Sequence, residues 1–312
     1  MGNKSDLWKQ LLDKAPKAFI KLSDLALPEK SNHFKVAVDL PILMHKYAFG
    51  LKCNGKPLHQ AILGMANTMK NENLVPIFVE DGKFLKNKAE EVKRRKKNEG
   101  TWIKQVKKKV DDEEFDMQVV TETEVIESID APASETEDKK EKPKKEKKKV
   151  TETIVFEKFK PNKQDYDDTK VLLLENGFDF KTAKYEAEAL CTWLCIQGQV
   201  DLVLTEDSDA LTYLCPKILR HYKKETEKVV LMDVLLDELK LTGPQFQDLC
   251  IMLGNDFNSN ISNHGFKHCL DYLQKSKEHS LQTYIQEIQK ITNDMEESKI
   301  VFSSFCYEKN LV

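Results

Sequence analysis

The sequence predicts an α/β fold, with a mainly parallel central sheet flanked by helices. Short apolar runs typical of buried strands alternate with segments of helical periodicity, and three of those runs end in aspartates. Alternation of this kind is typical of βαβ units, whose crossover helices cover a parallel sheet. The chain has 312 residues, of which 40% are hydrophobic, so it can bury a sizeable core. Full disorder and collagen-like repeats are excluded.

The first half contains a short amphipathic helix and then two strands, separated by two helical patterns. Pro41 fits the first turn of the earlier of these two helices, because its fixed φ suits the start of a helix. The predicted ranges are 7–12 (helix), 34–38 (strand ending at Asp39), 41–47 (helix), 58–69 (helix) and 75–79 (strand followed by Glu80, Asp81 and Gly82).

The second half repeats the alternation. A helix over 166–174 is expected to stop at Gly177, a second helix covers 186–196, and a strand over 200–204 runs into an acidic segment. No stretch approaches the ~18 consecutive apolar residues of a membrane span, and the first residues have no apolar signal core. We therefore expect a soluble, intracellular protein without a membrane partner.

Charge is distributed in blocks along the chain. Residues 83–109 hold 12 Lys and Arg against three Glu, residues 111–138 hold 12 acidic residues and no basic one, and residues 139–149 hold eight Lys against two Glu. Such blocks, poor in aromatic residues, cannot bury enough apolar surface to offset chain entropy. Residues 113–151 are therefore predicted to be a disordered insertion between two ordered halves. The lysine-rich run 142–149 is either a nuclear import signal or a solvated tail.

Carboxylates follow the predicted strands, at Asp39, at Asp81, and at Asp207 and Asp209. The carboxyl ends of neighbouring parallel strands lie along one edge of a sheet, so these four side chains converge if the strands are neighbours. Like charges so close together repel one another and raise one another's pKa, which a divalent cation relieves. Oxygen ligands favour a hard ion, and Mg²⁺ suits an open site that faces phosphate.

Glu186 and Glu188 add two carboxylates at the start of a predicted helix. Residues two apart point roughly 200° apart in mid-helix, so both can serve one site only if the pair lies at the helix N-terminus. The helix dipole also favours acidic residues there.

The seven cysteines give no competing metal or redox motif, because no pair has C-x-x-C spacing. Scattered cysteines inside apolar runs usually pack as small core residues in a reducing compartment. Cys191 and Cys195 fit that interpretation. A zinc site at His264, His268 and Cys269 lacks an evident fourth ligand and is disfavoured.

Several motifs, in order along the chain, resemble the flap endonucleases and the wider superfamily of structure-specific 5′ nucleases that includes the xeroderma pigmentosum group G nuclease. The resemblance covers nearly the whole chain except the charged insertion. The motifs are residues 7–12 with Ala15 and Pro16, residues 35–39 (KVAVD), residues 78–83 (FVEDGK), residues 185–189 (YEAEA), residues 205–211 (TEDSDAL) and residues 248–257 (DLCIMLGNDF).

The resemblance implies a PIN-like nuclease core, a helical arch and a C-terminal helical hairpin that binds DNA. It divides the chain into an N-terminal nuclease region with a basic arch helix (1–112), the charged insertion (113–151) and an internal nuclease region with the hairpin (152–312). It also implies two Mg²⁺ ions, with Mn²⁺ as a substitute. The implied metal ligands are Asp39, Asp81, Glu186, Glu188, Asp207, Asp209 and Asp256.

Basic residues gain roles from the same resemblance. Lys88 and Arg95 lie seven and fourteen positions after Asp81, where the family places a Lys and an Arg that hold the scissile phosphate at the base of the arch. With the metal-bound carboxylates Asp39, Asp81, Glu186 and Asp207, they form the implied catalytic set. The implied nucleic-acid contacts are Gly2, Lys83, Lys93, Arg94, Lys96, Lys97, Gly265 and Lys267, and counterion release would favour the basic ones.

The hairpin departs from the family pattern. Relatives have Gly-x-Gly-Pro where this chain has Asn263, His264, Gly265 and Phe266. Asn tolerates left-handed backbone angles better than most residues, so the turn can form. The implied grip on duplex phosphates, and on a K⁺ ion at the hairpin, depends on that turn.

The implied substrate is DNA with 5′ flaps, nicks or ends, handled by a monomer in the nucleus. A glutamine-plus-double-aromatic box for a sliding clamp is not recognisable. Two alternatives stay open. The first is a nuclease that acts mainly on RNA, because nothing in the sequence distinguishes RNA from DNA by the 2′-hydroxyl. The second is a non-catalytic scaffold with the nuclease fold. Retention of all seven carboxylates argues against the scaffold.

Overall fold

A computed structural model describes residues 4–29, 31–51, 57–84, 88, 161–258, 260–261 and 264–288. The chain divides into two compact units, Met1–Arg95 with Phe159–Val312, and Lys96–Lys158. All described residues belong to the first unit. The insertion at 113–151 and six of the predicted contact residues lie outside the described residues: Gly2, Lys93, Arg94, Arg95, Lys96 and Lys97. The predicted division at 112 and 151 stays a prediction.

The first unit consists of helices and one sheet. The helices are α1 (Lys4–Lys14), α2 (Leu40–Leu51), α3 (Leu58–Asn71), α4 (Lys163–Glu175), α5 (Ala187–Ile196), α6 (Asp209–Thr212), α7 (Met232–Leu239), α8 (Gly243–Leu253), α9 (Phe266–Gln274) and α10 (Leu281–Ile288). The strands are β1 (Phe19–Ile20), β2 (Phe34–Asp39), β3 (Leu74–Glu80), β4 (Asp179–Thr182), β5 (Leu202–Leu204), β6 (Lys217–Arg220) and β7 (Lys228–Leu231). Two 3₁₀ turns lie at Pro16–Ala18 and Leu22–Asp24.

The seven strands form one sheet in the order β1-β7-β6-β5-β2-β3-β4. The five strands from β6 to β4 pair in parallel, and β7 and β1 complete one side in antiparallel pairing. The central strand is β2, which lies between β3 and β5. The prediction of a mainly parallel sheet flanked by helices is confirmed.

Buried apolar side chains on β2 alternate between two clusters. Val36 and Val38 belong to one cluster and Ala37 to the other, and all three are fully buried. Since successive side chains of a strand point to opposite faces, the two clusters lie on the two faces of the sheet. Helices α2, α3 and α4 contribute to the first cluster, and α1, α5, α7 and α8 contribute to the second. A strand covered on both faces reads as a continuous apolar run, as β2 and β5 do.

Local signals fix the ends of several helices. Asn162 and Asp165 form a reciprocal capping box at the start of α4, and Thr242 and Gln245 form another at the start of α8. Gly177, with φ of 74°, follows the end of α4. The left-handed backbone there is accessible to glycine at little cost. Among the described residues, no helix is long and apolar enough to cross a membrane.

Candidate metal centre

Asp39 is the last residue of the central strand, and its carboxylate is held on both oxygens. Its Oδ1 accepts the backbone N–H of Ile42 in the first turn of α2 at 3.3 Å, and its Oδ2 accepts the Thr205 hydroxyl at 2.7 Å. Asp39 is 2% exposed. The end of β2 and the segment after β5 therefore meet at one buried carboxylate.

Asp81 follows the neighbouring strand β3 and is the exposed member of the group. Its Oδ1 accepts the backbone N–H of Ala187 at 2.8 Å, so it caps the first turn of α5. Beyond β3, the N–H of Gly82 donates to the Tyr185 carbonyl at 2.7 Å, and the N–H of Lys83 donates to the Lys184 carbonyl at 2.9 Å. These contacts hold the start of α5 against the end of β3.

Glu186 and Glu188 lie in the first turn of α5, where Glu186 is the N-cap residue. Only at a helix start can both side chains serve one site, and the two residues lie there. Both residues are 8% exposed, and most of the other residues of α5 are apolar and buried. Burial of the helix fixes the two carboxylates at the edge of the sheet.

Asp207 and Asp209 lie in the segment that leads from β5 into α6. The backbone N–H of Asp207 donates to the Thr205 hydroxyl at 3.0 Å, and the backbone N–H of Asp209 donates to Asp207 Oδ1 at 2.9 Å. Asp209 is 1% exposed. The side chains of Thr205 and Asp207 thus hold the backbone of the segment that carries the predicted ligands.

Glu206, in the same segment, binds basic groups. Its carboxylate pairs with Lys46 Nζ at 3.0 Å, His221 Nε2 at 3.2 Å and Arg220 Nη2 at 3.5 Å, and it accepts the backbone N–H of His221 at 2.9 Å. The guanidinium of Arg220 also stacks over the Trp8 ring, 3.7 Å from its centroid. This ion-pair cluster joins α1, α2 and β6 to the segment that carries Asp207.

Asp256 approaches from the segment after α8, where Gly254 has φ of 90°. A Cβ at Gly254 would lie 2.8 Å from the backbone nitrogen of Asn260. Both the positive φ and this close approach therefore require glycine. Asp256 is 5% exposed. Its Oδ2 lies 3.4 Å from Lys88 Nζ.

Lys88 places its ammonium among three of the carboxylates. It bonds to Glu186 Oε2 and lies 3.4 Å from Asp256 Oδ2 and 3.7 Å from Glu188 Oε1. Its side chain is 13% exposed. Burial alone would lower the pKa of Lys88, but the charges of Glu188, Asp256 and Glu186 outweigh it and hold the pKa above its usual range.

Burial and mutual repulsion raise the pKa of several carboxyls in this group. Burial raises the pKa of Asp39 to about 7. The charges of Asp81 and Asp207 add to this rise, and the Thr205 hydrogen bond opposes it. Burial likewise raises the pKa of Glu186 and Glu188, although Lys88 opposes the rise. The charges that act on these groups and on Lys88 include all seven predicted ligands, so the fold gathers those carboxylates into one electrostatic cluster.

The donor set fits a hard divalent cation. Asp81, Glu186 and Glu188 each offer a carboxylate oxygen, and these three atoms all lie within 4.8 Å of one another. Oxygen-only ligation is the preference of Mg²⁺ and Mn²⁺ in proteins. Burial raises the pKa of Glu186 and Glu188, and a bound cation would favour their ionised forms.

Other predicted contact residues lie outside this cluster. Lys83 is exposed beside Asp81, while Gly265 is the exposed N-cap residue of α9 and Lys267 is exposed in its first turn. Residues 262 and 263 of the altered hairpin are not described. Thr205 and Glu206 were not predicted, although the position of both directly before Asp207 could have drawn attention to them.

Comparison with known proteins identifies the same region. Residues 177–256 match the family model described as the XPG I-region, a range that contains five of the seven carboxylates. Flap endonuclease 1 of Mus musculus is 29% identical over 87% of this chain and 65% of its own length. The chain thus spans about two thirds of the length of that relative.

Solved structures share the fold at low sequence identity. A structure of the catalytic core of Rad2 in complex with DNA substrate has a TM-score of 0.61 and 16% identity, covering 96% of this chain and 86% of that one. Flap endonuclease-1 from Methanococcus jannaschii has a TM-score of 0.55 and 19% identity, covering 86% of this chain and 78% of that one. The sheet order, the carboxylates at its edge and these matches agree: residues 177–256 carry the XPG I-region, and the chain resembles the flap endonucleases in sequence and the Rad2 catalytic core in fold.

Proposed function

We propose that this protein is a Mg²⁺-dependent, structure-specific 5′ nuclease that hydrolyses DNA phosphodiester bonds with two metal ions. The observation that carries the proposal is the carboxylate cluster at the carboxyl edge of the sheet, on a chain that resembles this superfamily. The catalytic core of Rad2, which shares the fold, is solved in complex with DNA substrate, and flap endonuclease 1 is similar in sequence. The proposal carries the activity of flap endonuclease 1 over to the present chain.

The seven carboxylates would hold the two ions at the edge of the sheet. Asp81, Glu186 and Glu188, with their closely placed oxygens, would form one part of the binding site, and Asp39, Asp207, Asp209 and Asp256 the remainder. Bound metal supplies an activated water and stabilises a leaving oxygen. Thr205 and Ile42 keep Asp39 in place, and Ala187 orients Asp81.

Lys88 and Arg95 would bind the scissile phosphate and offset charge that develops on its oxygens. Lys83 and the basic residues Lys93, Arg94, Lys96 and Lys97 would bind the phosphate backbone beyond it. In the C-terminal part of the unit, Gly265 is the N-cap residue of α9, and Lys267 in its first turn is exposed. These two residues would contact duplex phosphates, and Gly2 would approach the site from the N-terminus.

The proposed substrates are 5′ flaps, nicks and ends, cut in replication, repair or recombination. We also propose that the protein acts as a monomer in the nucleus, with Mn²⁺ able to replace Mg²⁺ and a K⁺ ion at the hairpin. These statements follow from the superfamily's chemistry applied to the residues above.

The test is cleavage of labelled 5′-flap, nicked, bubble and RNA substrates with Mg²⁺ and with EDTA. We expect Mg²⁺-dependent cuts in the DNA substrates. Cleavage of RNA alone would replace the DNA assignment, and failure to cut any substrate would leave a scaffold role.

The Asp207→Ala variant separates chemistry from binding. We expect it to abolish turnover while DNA binding, measured by fluorescence anisotropy, stays near that of the wild type, because the proposed phosphate contacts lie on other residues. Asp179→Ala is the matched control, since Asp179 is an exposed aspartate at the amino end of β4, opposite the carboxylate edge. Equal losses of binding and rate in Asp207→Ala would contradict the assignment.

A further inference from the structure

We propose that Lys88 is a built-in counter-ion of the metal centre, which must leave the carboxylates before the full metal complement binds. This inference rests on the proposed function, because it concerns how that same site acquires its ions. It gives Lys88 two successive partners: the carboxylates in the metal-free protein and the phosphate in the substrate complex.

The first argument is the sharing of ligands. Glu186 and Glu188 belong to the triplet whose oxygens lie within 4.8 Å of one another, and both also contact the Lys88 ammonium. The ammonium and a divalent ion therefore compete for the same two carboxylates. Asp256 supplies a third contact at 3.4 Å.

The second argument is charge balance. Carboxylates that lie this close together repel one another unless a cation lies between them. Lys88 supplies such a charge in the metal-free protein, and its side chain is only 13% exposed. Its ammonium also lies 5.2 Å from the centre of the Phe257 ring, a distance within the range of a cation–π contact. These partners hold the side chain in the cluster rather than in solvent.

The consequence is that Lys88 opposes metal binding. Removing its charge frees two carboxylates and increases the negative potential of the cluster, so metal should bind more tightly. A lysine that served only to hold phosphate would leave the metal affinity of the DNA-free protein unchanged. The two descriptions therefore predict different results in the absence of DNA.

The experiment measures Mn²⁺ binding to the full chain without nucleic acid, through the EPR signal of the free ion. We expect Lys88→Met to bind Mn²⁺ roughly tenfold or more tightly than the wild type, the scale on which groups around a metal site alter its affinity. Lys88→Arg keeps the charge and should stay near the wild type. Lys184→Met is the matched control, because it removes the same charge from an exposed residue just before α5.

Equal affinities in Lys88→Met and Lys184→Met would overturn the proposal, as would weaker binding in Lys88→Met. Lys88→Gln, which keeps a polar side chain, is measured in parallel and should also bind more tightly, so that a folding defect of Lys88→Met leaves a decisive result. The outcome is independent of cleavage. A wild-type protein that binds Mn²⁺ but cuts no substrate would refute the proposed nuclease function and not this inference.

Discussion

Thr205 shows how a single neutral side chain can organise the carboxylate cluster. Its hydroxyl donates to Asp39 Oδ2 at 2.7 Å and accepts the backbone N–H of Asp207 at 3.0 Å. The residue is fully buried. A hydroxyl can donate and accept at once, whereas valine, which has nearly the same shape, can do neither. Thr205 thus couples the end of the central strand to the segment after β5.

We expect Thr205→Val to weaken Mn²⁺ binding by roughly 10- to 100-fold, the usual effect of losing a group that orients a metal ligand. Thr205→Ser keeps the hydroxyl and should retain most of the affinity. The measurement is a Mn²⁺ titration of the DNA-free protein, with thermal unfolding as a check on the fold. Wild-type affinity in Thr205→Val would show that Asp39 and Asp207 need no such link.

Individual residues differed in how far the sequence could predict them. Asp39, Asp81 and Asp207 were predicted because each follows an apolar run, a signal contained in a few neighbouring residues. Thr205 and Glu206 stand directly before Asp207, which marks their positions, but a local pattern does not reveal their partners. Thr205 bonds to Asp39, 166 positions away, and the basic partners of Glu206 come from α2 and β6. The contacts of Lys88 with Glu186 and Asp256 likewise exist only in the folded chain.

At the scale of elements, the junction between β3 and α5 depends on Gly82. A Cβ at this position would lie 1.9 Å from the Ala183 carbonyl oxygen and 2.6 Å from that of Lys184. Both are backbone atoms, which cannot rotate away. The close approach allows the hydrogen bonds of residues 82 and 83 to the segment before α5, and so places Asp81 beside the helix start.

We expect Gly82→Ala to lower the free energy of unfolding by about 2 kcal/mol or more, because backbone must shift to admit the methyl group. Gly64→Ala is the contrasting control. Gly64 lies exposed within α3 with no atom near its Cβ position, so alanine there should stabilise by about 0.5–1 kcal/mol. Urea unfolding of both variants measures whether the free energy of unfolding falls in Gly82→Ala and rises in Gly64→Ala. A neutral Gly82→Ala would mean that the junction can relax.

The sequence predicted elements with strong patterns better than short ones. Strands β2 and β3 and helices α2, α3 and α4 were predicted because their apolar runs are long, and their observed ends differ from the predicted ones by a few residues. The two-residue β1 and the four-residue strands β4, β6 and β7 have no comparable pattern. The pairing of β1 and β4 is decided by neighbours distant in sequence, such as Ile77 for Asp179, whereas β6 and β7 pair with each other across a short connection.

For the whole molecule, the carboxylate cluster links stability to pH and metal. Burial raises the pKa of Asp39 from 3.8 to about 7 in the folded protein. The folded state thus holds this proton more tightly than the unfolded chain does. Its contribution to stability is full below about pH 4 and is lost as the pH rises through about 7. A bound cation favours the ionised form and so restores what the higher pH removes.

We expect Asp39→Asn to have a higher Tm than the wild type in EDTA at about pH 7.5, with the difference shrinking toward about pH 5. The amide cannot ionise, and its oxygen can still accept the Thr205 hydroxyl. Thermal unfolding at several pH values checks the trend. A difference that stays constant over this range would contradict a raised pKa at Asp39.

The position of β2 in the middle of the sheet affects how the protein is made. This strand leaves the ribosome early. Its partner β5 and the Thr205 hydroxyl that donates to Asp39 come from a part of the chain 166 residues later. At typical synthesis rates of ~5–20 residues per second, one side of the strand waits roughly 10–30 s without its neighbour. An apolar edge left open for that time can pair with the wrong chain. We therefore expect this edge of β2 to stay exposed during translation until residues 202–205 have been made.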